Sequence, residues 1–207
     1  MRVLMAAIVA MMMGAPAMAG QKAVVLAGGC FWCVEADFEK NVPGVISAQS
    51  GYIGGSKDDA TYKAVASGRT EHYEAVRIVY DDSQVNFRSL VDFFFRSVDP
   101  TDAGGQFCDR GPSYRTAVFV NGVAERAAAE AAKAAAQDEL GQRIVTPILP
   151  ASAFYLAEPE HQNYYRSGAR VLTRFGWIKR KDAYARYRTA CGRDARIKAL
   201  WGTVPGS

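Results

Sequence analysis

The sequence predicts one α+β domain in which helices pack on a mixed β-sheet, and three observations lead there. The chain has 207 residues, 49% hydrophobic and 22% charged, enough apolar side chain to fill one core. Segments of strand periodicity alternate with segments of helical periodicity along most of its length. No internal repeat, low-complexity tract or long linker divides it, and no glycine-rich phosphate loop or dinucleotide fingerprint breaks the alternation.

Residues 1–19 stand apart from that pattern. Arg2 gives a positive start, residues 3–13 are apolar, and Ala17-Met18-Ala19 fits a small-x-small cleavage site, the layout of a secretory signal peptide. The apolar run is far shorter than the roughly 20 residues needed to span a bilayer. The expectation is export of a soluble chain of residues 20–207, periplasmic in a Gram-negative bacterium and secreted otherwise. All six methionines (Met1, Met5, Met11, Met12, Met13 and Met18) fall in the leader. The mature chain therefore lacks the side chain that oxidants turn polar.

Residues 22–27 are a β-branched run closing on Gly28-Gly29 and read as a buried strand. Residues 31–40 carry apolar and charged side chains at helical spacing, so the strand turns into a helix near Cys30. A second strand follows at 45–53, closed by Gly54-Gly55, then a short helix at 61–66. Residues 73–80 alternate Ala75, Arg77 and Val79 against Val76, Ile78 and Tyr80, a strand ended by Asp81-Asp82. Residues 87–98 form an amphipathic helix stopped before Pro100. The loop at 99–113 is long enough to need a job and marks a site. After it come a strand at 114–120, an alanine- and glutamate-rich helix at 124–140 ended by Gly141, and a strand at 144–149 broken by Pro147. From residue 153 the chain reads as an aromatic, basic, irregular tail with one or two short helices.

The net charge of +4 is mild. Its densest cluster, Arg174, Lys179, Arg180, Lys181, Arg186 and Arg188, reads as a solvated face and calls for no nucleic-acid partner. Nothing after the leader calls for a membrane.

Four cysteines remain: Cys30, Cys33, Cys108 and Cys191. In an exported chain an even count first suggests structural disulfides, yet a chain of this size can fold without staples. Cys30 lies where a strand meets a helix N-terminus, where free N–H groups and the positive helix end favour a thiolate. Cys33 is one helical turn on, on the same face, at a spacing that permits a reversible disulfide. A structural Cys30–Cys33 bridge would close too small a loop to add much stability. A zinc site would want spaced pairs or histidines, whereas Cys108 and Cys191 are isolated in the sequence. Phe31 and Trp32 fit either the core or a pocket for an apolar substrate tip.

Gly28-Gly29-Cys30-Phe31-Trp32-Cys33-Val34-Glu35 resembles the signature of the peptide methionine sulfoxide reductases of type A. The likeness continues through Gly51-Tyr52-Ile53-Gly54-Gly55, Thr61-Tyr62, Ser67-Gly68-Arg69-Thr70-Glu71-His72-Tyr73-Glu74 and Asp99-Pro100-Thr101-Asp102. It resumes at Gly104-Gly105-Gln106-Phe107-Cys108-Asp109-Arg110-Gly111-Pro112-Ser113-Tyr114-Arg115, and again at Phe154-Tyr155-Leu156-Ala157-Glu158 with His161-Gln162. The resemblance implies a two-layer, ferredoxin-like fold and reduction of methionine S-sulfoxide, free or in proteins, as repair of oxidative damage. It implies Cys30 as nucleophile and Glu74 as general acid, although read alone Glu74 is an outward strand residue. It implies Tyr62 and Tyr114 as holders of the sulfoxide oxygen, Phe31 and Trp32 as the methyl pocket, and Asp109 as a site carboxylate. It implies no metal and no bound cofactor, with a thioredoxin-like dithiol as outside reductant.

The commonest family pattern has glycine at position 33 and its recycling cysteines in a mobile tail. Here Cys33 is the expected resolving thiol, because a short loop closes without large motion. Cys191 is the alternative or a second relay, and Cys108 is left without an assigned role. The competing readings are an exported thiol–disulfide oxidoreductase working through Cys30 and Cys33, and a disulfide-stabilised binding module.

Overall fold

The computed structural model describes residues 20–205; the leader expected at 1–19 lies outside the described residues. In chain order the elements are β1 (Gln21–Gly28), α1 (Phe31–Asn41), β2 (Val45–Ile53), α2 (Tyr62–Ala66), β3 (Tyr73–Asp81), α3 (Phe87–Ser97), β4 (Gly105–Gln106), β5 (Asp109–Arg110), β6 (Thr116–Val120), α4 (Gly122–Leu140), β7 (Ile148–Pro150), β8 (Phe154–Leu156), β9 (Arg170–Thr173), β10 (Gly176–Lys179), α5 (Arg180–Ala190) and α6 (Arg193–Trp201). A six-stranded sheet runs β7-β6-β1-β3-β2-β8. It is mixed: β7 lies parallel to β6, and every other neighbouring pair is antiparallel.

One face of the sheet carries α1, α3 and α4 over a core built on Leu26, Phe38, Ile78, Phe94 and Phe95. Each of these apolar side chains contributes about 2–3 kcal/mol by leaving water. The sequence dictates the helices locally. Asn86 caps α3 by accepting the Ser89 N–H at 2.9 Å, and the chain turns extended at Val98 ahead of Pro100. Ala129, Ala132 and Ala136 give α4 a thin buried face against α3, and α4 ends at Gly141 with φ 64°. The opposite face of the sheet holds a smaller cluster of Ala27, Ile53, Ala75, Ala117 and Phe119.

Three sequence expectations differ from the structure. Of residues 144–149 only Ile148 and Leu149 pair as strand, with Pro150; Pro147 has no N–H to give and serves instead as acceptor for the Val118 N–H at 3.0 Å. The strand expected from 114 starts at Thr116, because residues 112–114 wind into a tight turn led by Pro112. The irregular tail is largely ordered. Its β8 adds an edge to the sheet, β9 and β10 form a hairpin, and α5 and α6 follow. Its aromatic residues Tyr164, Tyr165 and Tyr184 are buried against Cys33 and Ala36 of α1, not against a sheet face, so no simple period betrays them. No helix among the described residues is long and apolar enough to cross a membrane.

Candidate active site

β1 delivers the chain to Gly28, and Gly29 turns it at φ 77° into α1. No other residue fits there, since a Cβ on Gly29 would lie 2.5 Å from the Cβ of Gln106. Cys30 caps α1, its carbonyl accepting the N–H groups of Cys33 at 3.0 Å and Val34 at 3.3 Å. The Phe31 N–H goes elsewhere, to Glu74 Oε2 on β3 at 3.1 Å.

That bond fixes the carboxyl of Glu74 beside Cys30. Glu74 is 2% exposed, buried on the helix-covered face and not turned outward as its charge alone would suggest. The strand alternation carries the signal, for Glu74 is in phase with Val76, Ile78 and Tyr80. Burial pushes its pKa up to about 8, against the Phe31 hydrogen bond and with help from the charges of Asp109 and Cys33. A carboxyl in that range is mostly protonated at neutral pH.

The two free thiols, Cys30 and Cys33, share this corner. Cys30 is held well above the usual thiol range by its hydrogen bond to Cys33, by burial, and by the charges of Cys33, Glu74 and Asp109. Cys33 is lowered by that same bond and by Arg193 and Arg188, which outweigh its burial. The helix N-terminus therefore does not by itself make Cys30 the thiolate. Its first N–H is committed to Glu74, and two carboxyl groups face the sulfur.

A cavity of about 610 Å³ opens over the pair, lined by Cys30, Trp32, Cys33, Tyr62, Asp109 and Cys191 among the predicted residues; Phe31, Glu74 and Tyr114 do not line it. Phe31, 1% exposed, lies behind Cys30. Its ring is 6.0 Å from Trp32 and 6.2 Å from Tyr62. Trp32 stacks on Tyr164 at 3.9 Å, and Tyr62 stacks on His161 at 4.1 Å. Burial and the charge of Glu74 raise the hydroxyl pKa values of both Tyr62 and Tyr114, and Cys30 acts on both. Both hydroxyls are thus kept as hydrogen-bond donors near the sulfur and the carboxyl. The thiol and the Tyr62 ring line the cavity, whose wall mixes aromatic and charged side chains, while the Glu74 carboxyl lies buried beneath Cys30 on the Phe31 N–H.

Residues 22–196 match the family profile described as peptide methionine sulfoxide reductase. The chain belongs to the peptide methionine sulfoxide reductase family. It is 48% identical to MsrA 2 of Caulobacter vibrioides, over 91% of this chain and 90% of that one. It is 43% identical to MsrA 2 of Rhizobium meliloti, over 86% and 82% respectively. Among solved structures it resembles the reduced form of Mxr1 from Saccharomyces cerevisiae, with TM-score 0.66, 33% identity and coverage of 70% of this chain and 83% of that one. Methionine sulfoxide reductase A of Corynebacterium diphtheriae gives 0.62, 34%, 73% and 75%. Mxr1 in complex with Trx2 also matches, at TM-score 0.50, 27% identity, 70% and 84%. The enzyme is a peptide-methionine (S)-S-oxide reductase and carries out MsrA-type reduction of methionine sulfoxide.

The structure of this reductase adds groups that sequence reasoning missed. Cys108 and Cys191, isolated in the sequence, form a disulfide on the wall of the same cavity, so in this state Cys191 offers Cys30 no thiol. Arg193 of α6 is 1% exposed and reaches back to donate to the carbonyls of Gly28 at 3.3 Å and Ser97 at 2.8 Å. Buried Asp37 pairs with Arg188 at 2.7 Å and with Arg193 at 3.4 Å. Glu158 fixes Tyr62, accepting its N–H and the Tyr52 hydroxyl, each at 2.8 Å. Only contacts across the fold reveal these roles, and no local pattern in the tail announces them.

Proposed function

We propose that this reductase works through a Cys30 sulfenic acid, with Glu74 as acid and Cys33 as resolving thiol. The observation that carries this reading is the buried Glu74 carboxyl, pushed up to about 8 and held next to Cys30 by the Phe31 N–H. Phe31 and Trp32 receive the methyl group, Tyr62 and Tyr114 donate to the sulfoxide oxygen, and Asp109 faces the nucleophile. Glu74 gives its proton to the oxygen as the Cys30 sulfur attacks the substrate sulfur and forms a transient S–S bond. The oxygen then passes as hydroxyl to the Cys30 sulfur while that S–S bond breaks, methionine leaves, and the proton given up by the Cys30 thiol restores Glu74. Two electrons pass from Cys30 to the substrate, leaving Cys30 as S–OH. The Cys33 thiolate then displaces hydroxide, which takes a proton to leave as water, and a Cys30–Cys33 disulfide remains. An outside dithiol of thioredoxin type returns both thiols, a reading supported by the likeness to Mxr1 bound to Trx2. No bound cofactor or metal is required for this sequence of steps.

The substrate is methionine S-sulfoxide, free or in proteins, and the role is repair. The leader pattern supports export, with the mature chain beginning at Gly20, which N-terminal sequencing of the secreted or periplasmic protein checks. The β6-β1-β3-β2 order, with α1 joining β1 to β2 and α3 in the connection from β3 to β6, supports a ferredoxin-like reading of the central fold.

The mechanism is tested by adding one equivalent of substrate to wild type, Cys33→Ser and Cys191→Ser and mapping disulfides. A Cys30–Cys33 bridge in wild type and Cys191→Ser, with a trapped sulfenic acid in Cys33→Ser, is the expected result. Normal recycling by Cys33→Ser together with a stall in Cys191→Ser overturns Cys33 as resolver. Loss of insulin disulfides without sulfoxide turnover would return the thiol–disulfide oxidoreductase.

A further inference from the structure

The basic cluster that the sequence alone reads as a solvated face folds onto the rim of the cavity. Between residues 161 and 190 there are eight arginines and lysines and one acidic residue, Asp182. Arg166 pairs with Glu39, and Arg188 with Asp37 and Asp194. The other six, Arg170, Arg174, Lys179, Arg180, Lys181 and Arg186, have no carboxylate within ion-pair distance among the described residues. Elsewhere Arg88, Arg96, Arg110, Arg126 and Arg196 each find one.

These free cations are positioned. Arg174 lies over Phe175 at 4.8 Å and Tyr187 at 5.1 Å, Arg186 reaches the same Phe175 ring, and Arg180 lies over Tyr164. Arg174 and Arg180 line the cavity that holds Cys30; the acidic residues lining it are Asp109 and Glu160. Arg170 and Lys179 are cross-strand partners on the hairpin behind them. The same hairpin exposes Leu172 (73%) and Trp177 (60%), also direct cross-strand partners, and Leu172 too lines the cavity. An apolar pair this exposed, ringed by unpaired cations and continuous with a reaction cavity, fits a docking surface.

We propose that the β9–β10 hairpin and the start of α5 dock the polypeptide around the sulfoxide, selecting extended segments whose flanking residues are acidic. The hairpin apolar pair takes the neighbouring apolar side chains, and the free cations take carboxylates on either side of the oxidised methionine. This rests on the proposed site around Cys30 and assigns its substrate class.

The test compares three peptides with a central methionine S-sulfoxide flanked by Glu, Ser or Lys, with free methionine sulfoxide as reference, run in parallel with dithiothreitol and with thioredoxin as reductant. The expected kcat/KM order is Glu over Ser over Lys, spanning roughly tenfold at low salt. That order collapses near 0.5 M salt, where the screening length is about 4 Å. Arg170→Glu/Arg186→Glu reverses the order and leaves turnover of free methionine sulfoxide unchanged. If the reversed-charge variant also loses free-substrate turnover, Arg170→Gln/Arg186→Gln and the salt dependence of wild type decide. Equal kcat/KM for the three peptides overturns the proposal, as does an effect confined to thioredoxin-driven turnover, which would assign the surface to the reductant. Failure of wild type to reduce even free methionine sulfoxide would instead sink the mechanism above.

Discussion

Replacing Glu74 by glutamine exchanges an ionisable carboxyl for a neutral amide of the same shape and keeps an oxygen for the Phe31 N–H. In the unfolded chain the carboxyl titrates near its ordinary value of 4.5, and in the fold near about 8. Burial thus disfavours the charged form, and the wild type loses stability relative to the variant as pH rises from about 4.5 to about 8. At about 1.36 kcal/mol for each pH unit the gap amounts to about 5 kcal/mol above pH 8 and about 3 kcal/mol at pH 7. Glu35, which burial lifts to about 7, titrates identically in both proteins and cancels. Urea unfolding of both proteins at several pH values measures the difference directly. The expected outcome is near-equality at acid pH and a variant increasingly the more stable toward alkaline pH. In the same samples, Glu74→Gln lowers sulfoxide turnover about 10²–10³-fold, and wild-type activity falls as pH rises through about 8. A stability difference that does not change with pH, or one that grows toward acid, refutes the buried-acid argument.

Cys108→Ser/Cys191→Ser opens a crosslink between residues 83 apart, so it lowers stability by about 4 kcal/mol, read from the denaturant midpoint under oxidising conditions. Glu158→Ala strands the Tyr62 N–H and the Tyr52 hydroxyl; it costs about 2–3 kcal/mol and raises KM for methionine sulfoxide more than it lowers kcat. An unchanged KM would mean that Tyr62 is held by its stack on His161 alone. Arg188→Met removes one cation from buried Asp37 and from the surroundings of Cys33. It costs about 3 kcal/mol and shifts the pH profile of Cys33 alkylation to higher pH, as read by mass spectrometry.

Strand β2 (Val45–Ile53) falls at the predicted residues, and α1 and α3 end within a residue of their predicted ends, because apolar period, caps and proline all agree there. The strand-to-helix turn at Cys30 was legible for the same reason. Glu74 shows a subtler case: its charge argues for solvent, but its place in the β3 alternation argues for burial, and the alternation prevails. Other features were invisible because they join distant segments. Nothing local tells Cys108 that Cys191 lies beside it, or marks Arg193 out from the surface arginines of the tail. The order of the tail was hidden because its tyrosines pack sideways on α1, outside any strand or helix period.

The hydrogen bond from Arg193 to the carbonyl of Gly28 closes a span of 165 residues. It ties the floor of the thiol corner to a segment made long after it. A growing chain therefore carries both thiols and the buried acid long before it holds the guanidinium that steadies them. The thiol corner is complete only once the segment bearing Arg193 has been made, and a fragment released before it is left with cysteines but no finished site. Such dependence on remote pairing also slows folding, since the entropy of closing so long a loop must be met before the contact forms.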